Sequence, residues 1–207
     1  GIYIPLFTFD SNVECDYVIR YGKYYTVTVG SGKNRRTETR TRWYTASGYI
    51  ENFFNDVQIE ASKSITQKNL SKLGGFDTDN SLDYHNQFIS GYSAERYDKG
   101  LDESWQDAKD LIKKSLRQSI VSRYNADVVD YVNMNCSFYD KTYKYILAPI
   151  WIFSYKYAKK TYDCIVNGRS GRIVGKYPKS PVKVGAIALT CAAIVGVMIW
   201  LIVKYMV

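Results

Sequence analysis

A run of twenty residues without a charged side chain, from Val184 to Val203, constrains this chain of 207 residues more than any other feature. A helix rises about 1.5 Å per residue, so such a run covers roughly 30 Å, the thickness of a bilayer hydrocarbon core. The run predicts one membrane-spanning helix over residues 184–205. A buried core helix is the alternative, but core helices are seldom apolar on all sides over so many turns.

The basic charge of the chain is concentrated beside this run. Residues 139–207 carry 11 basic and 2 acidic side chains, whereas residues 1–138 carry 17 basic and 18 acidic ones. Basic residues next to a spanning helix stay on the cytoplasmic side and favour an anionic leaflet. The pattern predicts a single-pass protein of the cell membrane with a cytosolic N-terminal domain. Its lipid-facing basic stem would consist of Arg169, Arg172, Lys176, Lys179 and Lys183.

Small residues recur at every fourth position inside the apolar run, at Ala188, Ala192 and Gly196. This spacing lets helices approach closely, so it marks a candidate face for homo- or hetero-oligomerisation. The alternative is that small residues are simply frequent in spanning helices.

The part before the run predicts a single cytosolic domain over residues 1–177, followed by a basic linker over residues 178–183. Apolar and polar residues alternate from Val13 to Tyr21, which is the period of a strand with one buried face. Between Asp102 and Tyr124, apolar residues recur every three or four positions, which is the period of a helix with one apolar stripe. The predicted fold class is α+β, with antiparallel β meanders, one long amphipathic helix and a C-terminal single-pass transmembrane helix.

A faint internal similarity suggests a duplication. The segment Pro5-Leu6-Phe7-Thr8-Phe9 resembles Pro149-Ile150-Trp151-Ile152-Phe153, and both precede alternating segments. Two related β units, over residues 1–60 and 126–177 and joined by a helical segment, would explain it. Chance similarity of two aromatic strands is the alternative.

A basic hairpin is predicted around the turn at residues 30–34. Its cationic residues are Lys33, Arg35, Arg36, Arg40 and Arg42. Basic strands with aromatic residues bind single-stranded nucleic acids in some proteins, but charged edge strands also prevent edge-to-edge pairing. The second interpretation is favoured, because residues 1–60 have no net charge.

The sequence offers little for catalysis. No glycine-rich phosphate loop is present, and His85 is the only histidine. Cys15, Cys136 and Cys164 are scattered, which predicts buried thiols rather than a disulfide framework or a zinc site. We therefore expect a non-enzymatic protein with no cofactor in these residues.

Several segments resemble a known family. The segments Tyr145–Trp151, Tyr155-Lys156-Tyr157 and Val166–Gly175, with Gly1–Phe7, Ile89–Tyr92 and Glu95–Asp98, are similar to bacterial TFIIB-type zinc-ribbon membrane proteins. The similarity covers the region that follows the zinc ribbon in that family. The paired C-x-x-C motifs of the ribbon are absent here, so zinc would belong to a ribbon before Gly1 and no ligand role is carried over.

This resemblance implies a membrane-anchored adaptor or scaffold that docks partner proteins, in association with SPFH (flotillin-like) proteins in envelope stress. The alternative is a nucleic-acid-binding accessory protein that uses the missing ribbon and the basic hairpin. Nucleic acid is the less favoured partner.

Overall fold

The computed structural model describes residues 1–30, 32, 35–178 and 181–206; of residues 181–184, 187, 188, 193, 201–203, 205 and 206 it describes the backbone alone. This part contains six strands, three α-helices and a short 3₁₀ helix at Asn86–Ile89. The elements are β1 Ile2–Val29, β2 Arg36–Glu60, α1 Gln67–Lys72, β3 Ser93–Ala94, α2 Leu101–Arg123, β4 Val128–Tyr157, β5 Lys160–Asn167, β6 Ile173–Gly175 and α3 Pro181–Met206.

All six strands belong to one sheet, in the order β2-β1-β4-β5-β6. The central strand β1 is antiparallel to β2 on one side and to β4 on the other. The strands β4, β5 and β6 form an antiparallel meander. The two-residue strand β3 pairs in parallel with the start of β1. The two candidate β units therefore contribute to the same sheet.

The predicted fold class is wrong. Strand accounts for 51% of the chain and helix for 25%, so the fold is mostly antiparallel β. Segments that the sequence divides into several short strands form three strands of 28, 25 and 30 residues. Ser47-Gly48, for instance, is a pair of residues typical of turns but lies inside β2. The glycine at this position has a packing reason, because a Cβ atom on Gly48 would lie 2.6 Å from the Tyr17 hydroxyl.

Bulges in β2 and β4 flank Asp10 of the central strand, and β4 has a further register shift where it passes Arg20 and Tyr21 of β1. Asp56 in β2 and Asp140 in β4 adopt positive φ angles, 53° and 48°, and the register of each strand against β1 shifts beside them. The Asp10 carboxylate lies between the bulges and accepts hydrogen bonds from the Asp56 N–H (2.8 Å) and the Thr142 hydroxyl (2.9 Å). Such bulges exchange the face to which the following residues point.

The helix α2 covers one face of the three long strands. Its buried residues Ala108, Ile112, Leu116 and Ile120 recur every four positions and pack on the alternating buried residues of β1, from Phe7 to Ile19. The Tyr124 hydroxyl at the end of the helix lies 3.1 Å from that of Tyr17. Apolar burial on this face is the main stabilising contribution, at about 25 cal/mol per Å².

The opposite face is covered only near the start of β1. There Ile4 and Leu6 pack with the helix α1 and its flanking loops, through Ile65, Leu70 and Phe76. Beyond the bulges, from Asn12 to Gly22, no described element covers this face, and its side chains at Glu14, Asp16, Val18 and Arg20 are exposed.

One covalent link joins the central strands. Cys15 of β1 and Cys136 of β4 are directly opposed in the sheet and form a disulfide beneath α2. The prediction that both are unpaired thiols is wrong, because pairing depends on the register of strands 121 residues apart. Cys164 is buried and Cys191 is exposed, and both are free.

The expected membrane anchor is also wrong. Across the residues that the structure describes, no helix combines the length and apolarity that crossing a bilayer requires. The single-pass helix at 184–205, the cell-membrane location and the cytosolic orientation are therefore not retained.

Candidate functional site

The uncovered face of the sheet is an exposed surface to which three strands contribute. We call it the open face and define it by rows of opposed residues from β2, β1 and β4. The rows are Phe53–Asn12–Tyr139, Glu51–Glu14–Ser137, Tyr49–Asp16–Asn135, Ser47–Val18–Asn133 and Thr45–Arg20–Tyr131.

Aromatic side chains stand on the two outer strands of this face. Phe53 is 57% exposed, Tyr49 50% and Tyr139 47%. Folding normally buries such rings, because each carries a large apolar area. Exposed apolar groups that are gathered on one face and bordered by polar residues mark interaction surfaces more often than isolated ones do.

Carboxylates occupy the middle of the same face. Glu14 is directly opposed to Glu51, and Asp16 is opposed to Tyr49. Partial desolvation, followed by the negative charges of Glu14, Glu51 and Asp16, raises the pKa of Tyr49 above its usual value of 10.0. Like charges directly opposed on a sheet are destabilising, so this row costs stability in the free protein. A cationic partner would relieve that cost.

A basic residue closes the other end of the open face. Arg20 forms an ion pair with Asp130, at 3.0 Å, and its guanidinium lies 5.2 Å from the centre of the Trp43 ring. The positive charge is therefore already neutralised within the fold. The charge that the open face presents to a partner is negative.

Within the described ranges, no cluster of three or more His, Cys, Asp or Glu side chains could hold a metal ion. The metal and zinc-ribbon descriptions that the family resemblance suggested thus have no support in these residues. His85 is exposed in a loop, where its ring contacts Phe88.

The structure places most of the basic hairpin in local contacts. Arg36 and Arg40 both pair with Glu38, at 2.7 and 3.3 Å. The Arg42 guanidinium lies 5.1 Å from the centre of the Tyr25 ring. Arg35 is exposed just before β2, and Lys33 lies outside the described residues.

The described residues of the basic stem have different surroundings. Arg169 pairs with Asp77, at 2.6 Å, and its guanidinium also donates to the Asp77 carbonyl oxygen. Arg172 and Lys176 line a hollow beside β6, together with Lys72, which the sequence did not single out. Lys179 and the side chain of Lys183 lie outside the described residues.

The candidate helix-association face is described only in part. Ala192 and Gly196 are exposed on α3. The side chain of Ala188 lies outside the described residues.

Sequence reasoning missed the open face, whose residues Glu14, Asp16, Tyr49 and Glu51 belong to different alternating segments. Alternation identified the polar side of each strand. It gave no signal that the polar sides of three strands join into one surface, which none of the described elements covers.

The fold and this surface together define a class: a long-stranded antiparallel sheet with a helix on one face and an open aromatic and acidic face. The chain is similar to the uncharacterized protein YdjG of Bacillus subtilis (strain 168), with 27% identity over 199 residues. The match covers 90% of this chain and 54% of YdjG, so the chain spans about half the length of that curated relative. No protein-family model matches the chain, and no solved structure matches it. The resemblance to TFIIB-type zinc-ribbon proteins stays a prediction.

Proposed function

We propose that this protein is a non-enzymatic adaptor that docks a partner protein on the open face. The observation that carries the proposal is the combination of exposed aromatic rings with the carboxylates of Glu14, Asp16 and Glu51 on a face that no described element covers. A partner that lays lysine or arginine side chains across this face would pair with the carboxylates. The aliphatic parts of those side chains would cover the rings.

The partner class follows from charge complementarity. Glu14, Asp16 and Glu51 form no ion pair among the residues that the structure describes, whereas Arg20 does. Arginine is the best-suited contact, because it pairs with carboxylates through two N–H groups and stacks on aromatic rings. An SPFH (flotillin-like) protein, suggested by the family resemblance, is the first candidate to test.

Nucleic-acid binding is the less favoured function. The carboxylates of the open face would repel phosphates, and Glu38 pairs with two arginines of the basic hairpin, which lowers its net positive charge. Steep salt dependence of DNA or RNA binding by the purified chain would favour this alternative.

Site-specific photocrosslinking in cells tests the adaptor proposal. A benzophenone amino acid replaces Phe53 on the open face or, as a matched control, Tyr157, which is equally exposed at the far end of β4. We expect a discrete adduct from position 53, attached to a Lys- or Arg-rich peptide of the partner. The triple variant E14K/D16K/E51K should abolish the adduct.

Three outcomes would contradict the proposal. These are adducts of equal yield from both positions, an adduct that survives the charge reversal, or no protein adduct from position 53. An adduct to an SPFH protein would identify the suggested partner, and an adduct to another basic protein would replace it.

A further inference from the structure

A surface hollow of about 520 Å³ lies where the end of α1 faces β6, the last strand of the sheet. Its lining includes three basic side chains, an aromatic ring and a thiol, from Lys72, Arg172, Lys176, Tyr177 and Cys164. We call it the cationic hollow. Its lining contains no carboxylate in the part of the chain that the structure describes.

The three positive charges of the cationic hollow are not neutralised within the fold. No carboxylate lies within 4.0 Å of Lys72, Arg172 or Lys176 among the described residues, whereas Arg169 of the same turn is held by Asp77. Three like charges around one cavity repel each other, and an anion between them would turn that repulsion into attraction. The hollow is thus electrostatically suited to an anion.

A buried residue fixes the two walls of the cationic hollow relative to each other. Asn167 is almost fully buried at the end of β5, and its side-chain amide donates to the carbonyl oxygens of Leu73 and Gly75, just after α1. Its side-chain oxygen accepts from the backbone N–H groups of Arg169 and Ser170, in the turn that leads to β6. The walls are therefore preorganised, which lowers the entropic cost of binding a ligand between them.

The guanidinium of Arg172 lies beside Gly74, on the α1 side of the cationic hollow. A Cβ atom on Gly74 would be 3.0 Å from the guanidinium carbon, so the glycine leaves room for this side chain. A guanidinium offers a planar pair of N–H donors to two oxygens of one anion. Lys72 and Lys176 add two ammonium groups around the same space.

This donor set fits phosphate better than carboxylate. A phosphate monoester carries a charge of about −1.5 to −2 near neutral pH and presents three acceptor oxygens, whereas a carboxylate carries one charge and two oxygens. We propose that the cationic hollow binds a phosphate dianion, either free or as a small phosphomonoester. This site is separate from the open face and does not depend on the adaptor proposal.

Equilibrium dialysis of the full chain, with inorganic phosphate and with O-phosphoserine as separate probes, measures binding directly. We expect saturable binding of one anion per chain. Chloride and acetate should not displace it. The variant K72Q/R172Q/K176Q should weaken it at least about tenfold. The control variant K63Q/K68Q/K114Q removes the same charge from exposed positions outside the lining and should bind like the parent.

Alkylation of Cys164 provides a second readout in a C191S background, in which Cys164 is the remaining free thiol. Phosphate should slow the reaction with iodoacetamide several-fold in the parent but not in K72Q/R172Q/K176Q. This comparison separates occupancy of the hollow from general stabilisation by salt.

Binding of inorganic phosphate alone would assign the hollow to the free ion, and tighter binding of O-phosphoserine would assign it to a phosphomonoester. The proposal is overturned if neither probe binds saturably at millimolar concentration. It is also overturned if both triple variants bind equally.

Discussion

The side-chain amide of Asn167 donates a hydrogen bond to the carbonyl oxygen of Gly75, 2.9 Å away, across 92 residues of sequence. The same side chain accepts hydrogen bonds from the Arg169 and Ser170 N–H groups, at 2.9 and 3.0 Å. One buried amide thus connects the loop after α1 with the turn between β5 and β6. The Asn167-Gly168 turn, which belongs to the segment Val166–Gly175 that resembles the family, therefore has a structural role.

Replacing Asn167 by alanine should destabilise the fold by about 2–4 kcal/mol, because it leaves several buried backbone groups without partners. Urea unfolding measures the loss. The control N133A removes an exposed asparagine from the open face and should change stability by less than about 0.5 kcal/mol. Equal urea midpoints for the two variants would show that the hydrogen bonds of Asn167 do not stabilise the fold.

The disulfide predicts the number of reactive thiols. Unfolded, unreduced protein should expose two thiols to Ellman's reagent, from Cys164 and Cys191, and reduction should raise the number to four. Reduction should also lower the urea midpoint, because a link between residues 121 apart restricts the unfolded chain. The double variant C15A/C136A serves as control, since its midpoint should not respond to reductant. Four thiols before reduction would contradict the pairing.

Gly48 should not tolerate a side chain. A Cβ atom there would lie 2.6 Å from the Tyr17 hydroxyl and 2.8 Å from the ring carbon that bears it. G48A should therefore displace Tyr17 from the α2 face and cost about 1–3 kcal/mol in the free energy of unfolding. S47A, at the neighbouring exposed position, should be nearly neutral. A neutral G48A would mean that Tyr17 adapts without loss.

Asp77 should make stability depend on pH in the acidic range. The pKa of Asp77 is lowered below its usual 3.8, mainly by a hydrogen bond from the Asn80 side chain. The Asn80 N–H group and the charge of Arg169 lower this pKa further, whereas desolvation raises it. A carboxyl group whose pKa is lowered in the folded state stabilises the protein at pH values above its usual pKa. This stabilisation is lost as the pH falls through the lowered pKa of the folded state.

D77N removes the titrating charge and keeps the shape. We expect the parent to be more stable than D77N near about pH 7 and the difference to shrink below about pH 3 in parallel urea titrations. A difference that stays constant over that range would rule out the ionised carboxylate as its source.

Periodicity predicted which side of β1 is buried. Val13, Cys15, Tyr17 and Ile19 alternate in the sequence and are all buried in the fold. The hairpins on both sides of β5 have tight turns, in which Ala158, Lys159 and Gly171 adopt positive φ. These are local features, and local sequence is sufficient to specify them.

Features that depend on distant strands could not be predicted. The pairing of Cys15 with Cys136 requires the register of β1 against β4, and no local pattern encodes it. A glycine such as Gly48 is typical of a turn, and its place within a strand is explained only by the Tyr17 ring that packs against it. The open face could be recognised only from the fold, in which no described element packs on it. The membrane-spanning helix was predicted from the uncharged run at 184–203 alone.

The paired bulges restrict how this fold can change in length during evolution. Because β1 is regular and both of its neighbours carry an extra residue beside Asp10, loss of Asp56 or Asp140 alone would reverse the face to which the following residues of that strand point. Distant homologues should therefore place their insertions and deletions in connections such as residues 77–92. A single-residue alignment gap within β2 or β4 should fall at a bulge, and a second change in the same strand would have to compensate for it.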